Sequence, residues 1–145
     1  MSVFWRNWMT GWCWAVGVFG VVLAGAGLDV TSGPVRLVFA LLQGPEALVL
    51  NAQMRFSVAL MGAVTIGWSI TLMAAIKAAQ QLGAAGRSTW VGVIVSVVSW
   101  YVIDSSLSIA TGFGVNAISN TLFLAAFLLP MARSGVLRST PATPS

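Results

Sequence analysis

Four apolar runs, at residues 8–28, 56–76, 90–108 and 115–130, are flanked and separated by segments that hold every charged residue except Asp104. A helix needs roughly 20 apolar residues to cross a bilayer. The runs are of about that length, so transmembrane helices are expected. Charged residues are 7% of the chain and hydrophobic ones 58%, against about 25% charged in soluble domains. The expected fold class is therefore all-α: an integral membrane protein, an up-down four-helix transmembrane bundle over residues 1–133. Residues 134–145 form a polar tail too poor in apolar side chains to fold.

Orientation follows from the Lys/Arg bias of the flanks. With four spans, Arg6, Lys77, Arg87, Arg133 and Arg138 share one side, while Arg36 and Arg55 lie on the other with Asp29, Glu46 and Asp104. Both termini are expected in the cytoplasm and the chain in a bacterial-type inner membrane as a multi-pass protein. Trp5, Trp8, Trp12, Trp14 and Trp90 agree with this, since amphipathic rings favour the headgroup level. Arg6 followed by an apolar run and Ala24-Gly25-Ala26 also resembles a cleavable signal peptide. The length of the run and its tryptophans favour a retained helix.

Small residues mark where helices approach each other in lipid. Gly20 and Ala24 form such a pair in the first run, Ala63 and Gly67 in the second, Gly92 and Ser96 in the third. Packing within the chain is the favoured use, a homodimer the alternative. The outer connection reads as a turn at residues 29–33, then a short apolar segment at 34–42 lying at the membrane interface. Gly44-Pro45-Glu46 has the residues that open a helix, and that helix could run on to Leu82. Ser88 is the expected cap of the next. A faint repeat at an offset of 75 pairs Val16, Gly17, Val18, Val22 and Asp29 with Val91, Gly92, Val93, Val97 and Asp104. Two parallel hairpins would produce it, as would chance between Val/Gly-rich helices.

An acid inside a span is a functional-site candidate. Gly112-Phe113-Gly114 forces a short connection, so depth counts from Gly112: Asp104 lies level with Asn120, and Ser108 level with Asn116. Helical spacing turns each pair toward the other, giving a polar ladder whose deeper rung is roughly 12 Å below the turn. Arg55, entering from the same side, is the expected ion-pair partner of Asp104. The candidate site is therefore Asp104, Arg55, Ser108, Asn116 and Asn120. It is either a register-fixing structural pair or a site for a proton, cation or amine. Trp68 is expected to be a packed aromatic, and the scattered Met9, Met54, Met61 and Met73 to fill the core.

The chain has no histidine and one cysteine, Cys13, so the usual haem, zinc and cluster ligands and any internal disulfide are missing. No metal or other cofactor is expected. Seven scattered cations make no phosphate-tracking stripe, so nucleic acid is not an expected partner, whereas the lipid bilayer is. No nucleophile–base set, phosphate loop or carboxylate pair is found, and an enzyme is not expected. Two functions fit: an accessory or assembly component meeting a membrane partner, which is favoured, or a small proton- or cation-linked transporter or ligand-binding protein using Asp104.

Overall fold

The computed structural model describes residues 1–43 and 49–137. It is all-helical, with no strand among the described residues. The elements are α1 (Val3–Ala24), α2 (Gly33–Gln43), α3 (Ala52–Leu82), α4 (Arg87–Ala110) and α5 (Gly114–Ser134), with short 3-10 turns at Gly25–Gly27, Asp29–Thr31 and Gly83–Gly86. Three helical stretches are long and apolar enough to cross a membrane: Val3–Gly27, the 59 residues Ala52–Ala110, and Gly114–Ser134. Their outward faces carry Val18, Ile103 and Leu122 at 59, 61 and 68% exposure. Apolar surface of this extent is tolerable only against lipid or a partner, and the chain is membrane-embedded.

Near-contact of backbones joins α1 to α3. A Cβ at Gly62 would stand 2.2 Å from the Ala24 nitrogen and 2.6 Å from the Gly20 carbonyl, and one at Gly20 would stand 2.9 Å from the Ile66 nitrogen. The Ser69 hydroxyl adds a bond of 2.8 Å to the Cys13 carbonyl. Small residues thus do what the sequence implies on α1, but the α3 side uses Gly62 and Ser69. Gly67 and Gly92 have nothing within 4 Å of a would-be Cβ.

The long middle stretch breaks where Gly83 takes φ +56. Beyond it α4 lies beside α3, with the Trp68 indole donating to the Ser96 hydroxyl at 3.4 Å and the Trp68 and Trp100 rings 5.7 Å apart. The α4 to α5 connection is a Schellman ending: Gly112 at φ +87 lets Phe113 N donate to Ser108 O at 2.8 Å and Gly112 N to Ile109 O at 3.2 Å. Only glycine adopts that dihedral without strain.

Two apolar clusters divide the interior. The larger joins α1, α3, α4 and α5 around Met9, Trp12, Cys13, Ile76, Trp90, Val97 and Phe127. The smaller joins α1, α2, α3 and their connections through Leu23, Ala26, Val35, Leu50 and Val58. Neither contains a residue of α4 or α5 beyond the Trp100 and Phe123 level, and there the helices meet through polar side chains.

Several local expectations need correction. Residues 49–51 are not helical, and α3 begins at Ala52 with Asn51 as its cap, Oδ1 accepting from Met54 N at 2.9 Å. A side-chain acceptor placed three residues before a free amide caps the helix at this point. The expected start at Gly44-Pro45-Glu46 lies outside the described residues. Ser88 sits inside α4, whose cap position is Gly86; a side chain there would meet the Ala79 carbonyl at 2.4 Å. Trp90 and Trp12 are packed inside the larger cluster, at 1 and 5% exposure. The α5 helix runs through Pro130 to Ser134, and Gly135 ends it at φ +63. Most of the expected polar tail, residues 138–145, lies outside the described residues.

Candidate functional site

The hairpin of α4 and α5 places Asp104 one helical turn above Trp100 and opposite Asn116 and Asn120. Both amides donate to the same carboxylate oxygen: Asn116 Nδ2 to Asp104 Oδ2 at 3.1 Å, and Asn120 Nδ2 to Oδ2 at closer range. Each amide also reaches a serine, Asn116 to Ser108 Oγ at 2.8 Å and Asn120 to Ser105 Oγ at 3.3 Å. The Ser108 hydroxyl turns back onto the Asp104 carbonyl at 2.7 Å. Ser105, Ser108 and Asn120 are buried, each at 7% exposure, while Asp104 and Asn116 are half-buried.

This geometry follows from the tight turn. With Gly112 as pivot, residues equally far from it on the two helices stand level, and the i, i+4 spacing stacks Asp104 below Ser108 and Asn120 below Asn116. Ser105 joins as a further rung member, one residue round the helix from Asp104. It was missed from the sequence because serine at a helix interior usually bonds its own backbone.

Arg55 is not at this site. Its guanidinium pairs with the Asp29 carboxylate through Nη2, donates through Nη1 to Ala26 O at 3.2 Å and through Nε to Leu50 O at 3.1 Å. The expected Arg55–Asp104 pair fails because two backbone carbonyls and an acid lie within reach at the mouth of α1 and α3. Asp29, 83% exposed, also offers a charge whose desolvation costs little. Arg55 therefore clamps the outer ends of α1 and α3. Among the described residues, no Lys or Arg nitrogen lies within 4.0 Å of the Asp104 carboxylate.

An aromatic layer closes the site from below. Trp100 meets Phe123 at 6.5 Å and Trp68 at 5.7 Å between ring centroids, and Phe123 meets Trp12 at 4.8 Å, which meets Phe127 at 5.0 Å. Rings from α3, α4, α5 and α1 thus form one course across the molecule, with Trp68 packed within it. Among the described residues no group of three or more His, Cys, Asp or Glu side chains could hold a metal. No protein-family model, curated protein or solved structure matches the chain.

Proposed function

We propose that the chain is a four-pass inner-membrane protein with both termini in the cytoplasm, acting as a non-catalytic accessory or assembly component. Four passes are supported by the length of the Ala52–Ala110 stretch, 59 residues where roughly 20 suffice, and by its return on itself at Gly83–Gly86. The ends carrying Arg6, Lys77, Arg87 and Arg133 meet: Gln80 Nε2 donates to Met1 Sδ at 3.8 Å, and Arg87 Nε to Leu137 O at 3.4 Å. The positive-inside bias puts that end in the cytoplasm.

One observation carries the functional reading. The Asp104 carboxylate is engaged by side chains of the adjoining helix, so the polar cluster works first as glue between α4 and α5 at a depth where no apolar core joins them. A hairpin stiffened in this way, with outer faces that are largely apolar, suits a component that displays helices to a membrane partner. Native mass spectrometry after extraction in mild detergent tests it: the chain should emerge with a stoichiometric protein partner, and emergence as a solitary monomer would refute the reading. A transporter or ligand-binding protein is the second reading, favoured by the absence of a cation beside Asp104.

A further inference from the structure

We propose that the Asp104 cluster is a binding site for a small monovalent cation of the sodium type, entered from the Gly112 end of the hairpin. Each carboxylate has two oxygens, and the asparagine amides occupy only Oδ2. Oδ1 has no hydrogen-bond partner among the described residues, and neither do the side-chain carbonyl oxygens of Asn116 and Asn120, whose nitrogens make all the bonds. No polar side-chain atom among the described residues is both buried and unpartnered, so each of these three oxygens keeps some accessible surface. A carboxylate oxygen and neutral oxygen donors within a turn of each other are the ligand types that suit a hard cation. A single carboxylate matches a single charge, where a divalent ion calls for more.

The charge is otherwise unanswered. On α4 the other titratable side chain near it is Tyr101, whose hydroxyl is engaged with Thr121 Oγ at 3.0 Å. On α5 the charged residue is Arg133, beyond the aromatic layer. On α3, Arg55 is committed to Asp29 and Lys77 lies at the opposite end; on α2, Arg36 donates to Ser32 Oγ at 3.4 Å. An ionised carboxylate at membrane depth without a cation is costly, and a bound cation removes that cost. Exposed Thr111, the Ser108–Asn116 rung and Asp104 with Asn120 also form a polar line down from the turn, with Trp100 and Phe123 beneath it.

This inference stands apart from the proposed function, since glue and cation site use the same residues but different oxygens. The test is the thermal midpoint of the detergent-solubilised protein, titrated with sodium chloride against N-methylglucamine chloride at constant ionic strength and at each of several fixed pH values. Sodium should raise Tm by a few degrees with saturation, and Asp104→Asn, which keeps the shape and one acceptor oxygen, should keep its helical circular dichroism and lose the rise. Should that variant not fold, Asn116→Ala keeps the acid and should shift half-saturation to several-fold higher sodium. A Tm indifferent to sodium overturns the site, as does one that follows pH alone, which assigns the acid a proton. A sodium response unchanged in both variants overturns it too.

Discussion

The Trp8 indole nitrogen donates to the Ala126 carbonyl at 2.9 Å, and that carbonyl is the one left without a helical partner by Pro130, four residues on, which has no N–H. Trp12 makes the parallel bond to Phe123 O at 3.0 Å one turn earlier. Pro130 of α5 and Trp8 of α1 are therefore one device: the helix surrenders a bond and its neighbour supplies the donor, whereas the Trp12 bond goes to a carbonyl whose helical partner, Phe127, keeps its N–H. Trp8→Phe should cost roughly 1–2 kcal/mol by removing the donor from that carbonyl. In a Pro130→Ala background, where residue 130 regains its N–H, the same change should cost less. A double-mutant cycle read by thermal denaturation measures the difference, and additive losses would separate the two features.

Gly62 and Gly67 lie five residues apart on α3 and should respond oppositely to alanine. At Gly62 the new Cβ meets α1 backbone at 2.2 Å, so α1 and α3 must part, at a cost of about 3 kcal/mol or more. At Gly67 nothing lies within 4 Å, and replacing a helix-interior glycine should gain roughly 0.5–1 kcal/mol. Melting temperatures of the two variants in one detergent decide it.

Arg55 and Asp104 belong to separate networks, so Arg55→Gln and Asp104→Asn should add to within about 0.5 kcal/mol. Arg55→Gln alone should cost more than Asp29→Asn. It also strips donors from the Ala26 and Leu50 carbonyls, whereas an ion pair with a partner as exposed as Asp29 is worth under about 1 kcal/mol. Strong coupling between positions 55 and 104 would contradict the geometry.

Asp104→Leu should destabilise the hairpin by roughly 2–4 kcal/mol, leaving the Asn116 and Asn120 amides without their shared acceptor. Asp104→Asn should cost much less because it presents an acceptor oxygen in the same place. Chemical denaturation of the two variants gives the ranking, and equal losses would point to charge in place of the bond.

Topology has its own check. In a Cys13→Ala background, a cysteine at Thr111 should react with a membrane-impermeant maleimide from outside intact cells, and one at Ala84 only after lysis. The reverse pattern would invert the orientation.

Helix content and the α4–α5 register were legible because each rests on local chemistry: unbroken apolar runs, and a glycine pivot from which depth is counted. The level pairing of Asp104 with Asn120 and of Ser108 with Asn116 needs only 1.5 Å per residue and one tight turn. Arg55 was misassigned for a different reason. Its choice between Asp104 and Asp29 depends on how the Gly25–Thr31 connection folds over the start of α3, which no periodicity reports. Gly62 was passed over in favour of Ala63 and Gly67 because a small-residue spacing names a helix but not which of its faces meets the neighbour. The Trp8–Ala126 bond was available in principle, since Pro130 announces an orphan carbonyl, but the donor comes from 118 residues away.

The two apolar clusters leave the Gly112 end of α4 and α5 fastened by hydrogen bonds and one ring contact, Phe39 with Phe113 at 6.2 Å. Amide exchange should therefore be graded along these two helices, slow around Val93 and Phe127 and faster toward Ile109 and Val115. The end packed around Trp90 and Phe127 is the last to open, and the hairpin turn frays first.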